Sequence, residues 1–335
     1  MLRRIICSRP PEWKEQRCTG QVRKRLLLKA ALQLGINRSS SKGLGKKEYA
    51  LFLKTGFFLL QDMKGIFDGE LPIPSIRDRK EIRMITWCAI GDSFTYLNDH
   101  LDETCYRLQK GYLARILEKL PDYALKLNNI GINGSTFQDW ISVSIPKADL
   151  YTVLLGTNDW HRPFPMGDRN NLKSRTAGTI LGNLGILLDH IRAASPEAVI
   201  VAGNPVERAD FVYLLDPENN APGSYQPENG LWLKDLAKEL LEAYAAEGVL
   251  TVDLWSKSGF TQDRLIHFKH VKRNGIYENL PYPEYIGVPF HPGEDEYPYP
   301  EEAIALTYDG LHPSDAGADR IAGLFAEKIR EAITK

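Results

Sequence analysis

Two near-continuous apolar runs, Leu150 to Gly156 (L-Y-T-V-L-L-G) and Ala198 to Gly203 (A-V-I-V-A-G), constrain this chain more than any other feature. A strand with one face in water alternates apolar and polar residues. A run without alternation buries both faces, the mark of a parallel sheet covered on each side by helices. The rest of the pattern supplies those helices. The period switches as helix about 106–120, strand 124–130, strand 150–156, helix 171–193, strand 198–203, helix 231–247, strand 249–254 and helix 314–333. Such alternation predicts a doubly wound α/β domain. With 335 residues, 43 % of them apolar, the chain can bury a large core and still carry an appendage.

The appendage is visible as a charge asymmetry. Residues 1–82 hold 18 Lys+Arg against 8 Asp+Glu, and the remainder holds 24 against 35, so a formal net charge of −1 conceals a prefix of +10 and a core of −11. The prefix reads as a basic, helical extension, with helices over 22–36 and about 47–66 and a Pro-containing linker from Leu71 to Ser75. Clustered positive charge attracts polyanions, so the extension is expected to contact an anionic partner or the acidic core. Its most apolar stretch, Tyr49 to Leu60, is interrupted by Lys54 and Gly56 and falls short of the ~20 residues a spanning helix requires. No signal-peptide core follows Met1, because Ile5, Ile6 and Cys7 give way at once to Ser8, Arg9, Pro10 and Pro11. A soluble, cytoplasmic protein is therefore expected. Cys7, Cys18, Cys88 and Cys105 form no CxxC pair and no disulfide framework.

The domain from 83 to 335 holds every block that carries chemistry. Trp87 to Thr95 (W-C-A-I-G-D-S-F-T) is an apolar run that breaks at Gly91, Asp92 and Ser93, as a strand delivering a nucleophile would. Ligands of open α/β sheets bind beyond the carboxyl ends of the strands, and Ser93, Gly134 and Asn158 all follow expected strands. A serine hydroxyl needs a base, and a neutral imidazole suits that task. His312 is the candidate, in Asp309-Gly310-Leu311-His312, with Asp309 three residues earlier able to orient it. Pro313 and Ser314 then open the last helix. Charge that develops on an attacked carbonyl needs donors fixed in advance, and the Ser93 and Gly134 backbone N–H groups with the Asn158 side-chain amide fit that need.

With these four blocks in order, the chain resembles the SGNH (GDSL) hydrolases over about 84–335, the name-giving residues matching Ser93, Gly134, Asn158 and His312, with Asp309 as the triad acid. The resemblance implies a flavodoxin-like three-layer α/β/α domain with a five-stranded parallel sheet, and hydrolysis of small acyl esters through an acyl-enzyme on Ser93 without metal or cofactor. Phe94 departs from the smaller aliphatic residue common after the serine, and is expected to narrow or reshape the acyl site. The segment G-T-N-D-W-H (Gly156 to His161) and a Tyr/Pro-rich stretch over 256–306, read as a long loop beside the site, resemble branches that act on carbohydrate esters. O-acetylated carbohydrate is thus the favoured substrate class. Lipid or thioester acyl groups are the alternative, and a non-catalytic glycan-binding or tethering module is the alternative of another class.

Other readings are weaker. An α/β-hydrolase elbow needs glycine two residues before and after its serine, and Thr95 breaks that pattern. His267, His270 and His291 lack any catalytic zinc signature and are read as loop or surface residues. Gly131-Ile132-Asn133-Gly134 is not a dinucleotide fingerprint. Trp160 and His161 are candidate substrate-pocket residues, although Trp160 could equally cover the sheet edge, and Asp159 is expected to hold the Asn158 loop by hydrogen bonding.

Overall fold

The computed structural model describes residues 83–297 and 299–334. The basic extension over 1–82, with its expected helices, lies outside the described residues.

Five parallel strands form the central sheet: β1 (Ile85–Gly91), β2 (Leu125–Asn129), β3 (Leu150–Leu154), β4 (Val199–Gly203) and β7 (Leu250–Val252), in the order β2-β1-β3-β4-β7. Short strands β5 (Phe211–Val212) and β6 (Asn220–Ala221) pair with each other outside that sheet. The absence of polar alternation in the apolar runs is explained by what covers them. Trp87, Ala89, Leu150 and Leu154 join one apolar cluster, while Cys88, Ile90, Tyr151 and Val153 join the other. Helices α2 (Tyr112–Lys119) and α10 (Asp315–Ile333) cover the first face through Leu113, Ile116, Ile321 and Phe325. Helices α6 (Ile180–Ala194) and α7 (Leu233–Ala246) cover the second through Leu184, Leu188, Leu236 and Leu240. This is the three-layer flavodoxin-like α/β/α arrangement with a five-stranded parallel sheet. Shorter helices, α1 (Ser93–Tyr96), α3 (Phe137–Trp140), α4 (Thr157–His161), α5 (Arg169–Ser174), α8 (Leu254–Lys257) and α9 (Gln262–Leu265), sit in the connections. No helix among the described residues is long and apolar enough to cross a membrane.

Three segments differ from the sequence expectation. The helix expected from 106 starts only at Tyr112, because Cys105 and Tyr106 take positive φ (48° and 59°). The single helix expected over 171–193 is two, α5 and α6, broken where Arg175 takes φ 55° and its guanidinium is held by Asp189 and Glu247 at 2.8 and 2.7 Å. Residues 256–306 are not a plain loop. They include α9 and an antiparallel hairpin, β8 (Phe268–Arg273) and β9 (Ile276–Pro281), turned by Asn274 and Gly275 at φ 52° and 81°. Two consecutive positive-φ residues are what a tight two-residue hairpin requires.

The hairpin is tied to the loop after β4 by a buried ion pair. Lys269 Nζ donates to Asp210 Oδ2 and to the Val288 carbonyl, with only 3 % and 5 % of the Lys269 and Asp210 side chains exposed. Asp210 also accepts from Gly223 N–H (2.6 Å) and Tyr225 O–H (2.7 Å), so its buried charge is fully surrounded by donors.

Candidate active site

Strand β1 runs out at Gly91, where a side chain has no room: a Cβ there would lie 2.0 Å from Thr95 Oγ1 and 2.8 Å from the Leu154 carbonyl. Asp92 caps α1 by accepting from Phe94 N–H at 3.1 Å, and Ser93 is the helix's first residue. The serine is thus presented at the carboxyl edge of the sheet by a strand end with no room for a side chain and a turn that caps itself.

Its partner comes from the other end of the chain. Ser93 Oγ lies 2.8 Å from His312 Nε2, and His312 Nδ1 lies 2.6 Å from Asp309 Oδ2. All three are buried, with residue exposures of 6 %, 6 % and 1 %. The second Asp309 oxygen accepts from Leu311 N–H (3.0 Å) and His312 N–H (2.7 Å), so one carboxylate both folds the loop and orients the ring. With Nδ1–H donating to Asp309, Nε2 is left as the acceptor that a serine hydroxyl needs. The loop is also gripped from outside: Ala209 N–H donates to the Gly310 carbonyl at 2.9 Å and Val212 N–H to that of Asp309 at 3.1 Å. Gly310 sits at φ 88°, and a Cβ there would lie 2.0 Å from the Asp210 carbonyl, so only glycine permits this approach.

Neither the Ser93 nor the Gly134 backbone N–H has a protein acceptor among the described residues. The Asn158 amide, from α4, donates to the Ser135 carbonyl at 3.1 Å and makes a longer contact with Asp92 Oδ2 at 3.4 Å. The three groups named from the sequence as donors are therefore two unspent amides and one side chain held weakly by its second hydrogen bond. Asp92 is buried, and desolvation raises its pKa to about 7, with the Phe94 N–H bond and the His312 charge pulling in the opposite direction. Burial pushes Asp159 further, to about 8. Its carboxyl accepts from Phe137 N–H at 3.0 Å, fastening α4 to the start of α3 beside the Gly134 block.

Trp160 takes the second of the two places expected for it. It is 1 % exposed, packed in the second apolar cluster with its indole N–H donating to the Leu231 carbonyl at 2.8 Å, which makes it covering for the sheet and not an open pocket wall. His161 stays half-exposed, its Nδ1 2.7 Å from Glu228 Oε1. Among the histidines considered for a metal, His270 stacks on Tyr277 at 4.8 Å and His291 lies 3.4 Å from Asp295. No group of three or more His, Cys, Asp or Glu among the described residues is placed to hold a metal ion.

Two neighbours of the site escaped the sequence reading. Phe211 meets the His312 ring edge-on at 5.6 Å, alongside Phe94 and Tyr308, each 5.8 Å from it. Arg208 is 2 % exposed and lies over the Trp160 ring at 4.9 Å, its guanidinium donating to the Pro222 carbonyl at 2.9 Å. Burial lowers its pKa to about 10. Both lie on the stretch just after β4, at the sheet edge where α/β sites form. That position was the available signal.

The sequence profile of the GDSL-like lipase/acylhydrolase family matches residues 89–320. Among solved structures, a protein of Chitinophaga pinensis DSM 2588 named a possible lipase shares 44 % identity over 75 % of this chain and 100 % of its own, with a TM-score of 0.72. A protein of Lactobacillus plantarum (19 % identity, 75 % and 98 % covered, TM-score 0.49) and the lipase/acylhydrolase of Enterococcus faecalis (16 %, 74 % and 97 %, 0.44) are more distant. No curated protein matches the chain. The chain belongs to the GDSL-like lipase/acylhydrolase family. It is a hydrolase of ester bonds.

Proposed function

We propose that the protein is a serine esterase in which Ser93 is the nucleophile, His312 the general base and acid, and Asp309 the carboxylate that orients and balances the imidazole. The observation that carries this reading is the unbroken chain of two short hydrogen bonds from Ser93 Oγ through His312 to Asp309. As Oγ bonds to the ester carbonyl carbon, its proton passes to His312 Nε2 and the carbonyl oxygen becomes an oxyanion. That oxyanion takes donors from Ser93 N–H, Gly134 N–H and Asn158 Nδ2, the last giving up its 3.4 Å contact to Asp92. Collapse expels the alcohol, which carries away the Nε2 proton and leaves an acyl-Ser93 ester. Water then repeats the sequence, His312 taking its proton and returning it to Ser93 as the carboxylic acid departs.

The favoured substrates are O-acetylated carbohydrates. Three aromatic rings within 5.8 Å of the imidazole crowd the reacting centre and favour a short acyl group over a long chain. Ser93→Ala is expected to lower turnover of an acetyl ester by about 10⁴–10⁶-fold. Comparing acetyl with octanoyl esters of one alcohol tests the acyl side: faster turnover of octanoyl would replace the acetyl reading with a lipase-like one.

A further inference from the structure

Phe211 belongs to two environments. Its ring lies edge-on against the His312 imidazole, and it also lines a cavity of about 220 Å³ together with Tyr225, Gln226, Pro289, Phe290 and Asp210. One side chain therefore borders both the reacting centre and a half-open cavity that none of the triad residues lines.

We propose that this cavity is the leaving-group subsite and that it receives one pyranose ring of the alcohol whose ester is attacked by Ser93. The inference rests on the serine-esterase reading above and goes beyond it in assigning a place and a chemistry to the alcohol. Size is the first argument. Sites for drug-sized ligands occupy about 300–1,000 Å³, so this cavity matches a single ring. The lining is the second. Phe211, Tyr225 and Phe290 with Pro289 give flat apolar surfaces suited to the C–H faces of a sugar, and the exposed Gln226 side chain offers an amide for its hydroxyls. An aliphatic acyl chain would instead call for an elongated apolar channel.

Charge is the third argument. Asp210 lines the cavity, yet its carboxylate is already engaged by Lys269, Tyr225 and Gly223, so the space holds a neutral ligand and not a cation. The same contacts make the walls rigid. The Asp210–Lys269 pair joins the segment carrying Phe211 to the hairpin, and Lys269 also reaches the Val288 carbonyl, next to Pro289. On another wall, Arg208 holds the Pro222 carbonyl. A subsite whose walls are fixed before the ligand arrives loses little ordering entropy on binding.

The test uses the full chain and two acetyl esters, ethyl acetate and a monoacetylated methyl pyranoside, with acid release followed by pH-stat. For Phe290→Ala and Gln226→Ala, the ratio of kcat/KM for the pyranoside to that for ethyl acetate is expected to fall about tenfold or more, chiefly through KM for the sugar ester. A ratio within twofold of the wild type overturns the proposal. So does a change confined to the preference between ethyl acetate and ethyl octanoate, which would give the cavity to the acyl chain. A second measurement stands apart from turnover: saturation-transfer NMR of the deacetylated methyl pyranoside with the Ser93→Ala protein. Binding lost in Ser93→Ala/Phe290→Ala supports the subsite, and no binding to a folded Ser93→Ala protein overturns it. Loss of the serine-esterase reading would show separately, as acetate release that survives Ser93→Ala.

Discussion

Replacing Asp309 by asparagine separates charge from shape at the site. An asparagine Oδ1 can keep accepting from the Leu311 and His312 N–H groups, now at 3.0 and 2.7 Å, so the loop should stay folded. Its amide nitrogen then faces His312 Nδ1 where a carboxylate oxygen stood at 2.6 Å. Nδ1 must become the acceptor, the ring proton moves to Nε2, and Nε2 can no longer take the proton of Ser93. The lost charge adds to this. A carboxylate and an imidazolium with charge centres about 4 Å apart attract by about 4 kcal/mol at the effective dielectric that describes protein sites, equivalent to about 10³ in rate. With the wrong tautomer included, kcat is expected to fall about 10⁴-fold. The assay is acetyl-ester turnover beside thermal unfolding, with Tm close to the wild type. A variant that folds normally and keeps more than a tenth of wild-type kcat would refute the role given to Asp309.

Two further changes probe the surroundings. Lys269→Met strands the Asp210 carboxylate at 5 % exposure and should cost about 3–5 kcal/mol in urea unfolding, whereas an unchanged midpoint would mean the pair contributes no net stability. Asp159 has a folded pKa raised by burial to about 8, so the folded state holds a proton that the unfolded state releases near pH 4. Its contribution to stability is therefore full below pH ~4 and lost progressively as pH rises toward ~8. Asp159→Asn cannot titrate, and should flatten the decline in stability between pH 5 and 8. An unaltered slope would assign that decline to other groups, Asp92 foremost.

Much of the fold was legible because burial on both faces leaves its signature in single strands: the runs at 150–156 and 198–203 could belong to little else. The site was legible because its groups sit on short blocks, with Asp309 and His312 supplied by a single loop. The hairpin at 268–281 was missed although Asn274-Gly275 is its turn signal, since the density of Tyr and Pro around it masked the alternation. The break at Arg175 depends on carboxylates 14 and 72 residues away, so no local pattern could announce it. Trp160, Arg208 and Phe211 gain their surroundings in the same way. The indole meets the Arg208 guanidinium and the Leu231 carbonyl, that guanidinium holds the Pro222 carbonyl, and the Phe211 ring meets His312, contacts that only the folded molecule brings together.

The central claim is that Ser93 carries the acyl group. Brief treatment with a fluorophosphonate, followed by peptide mass spectrometry, reads that residue directly. A single adduct on Ser93, formed in step with loss of acetyl-ester hydrolysis and absent from Ser93→Ala and His312→Ala, is the expected result. Full inhibition with the adduct on another residue, or hydrolysis undiminished once Ser93 is modified, would contradict it.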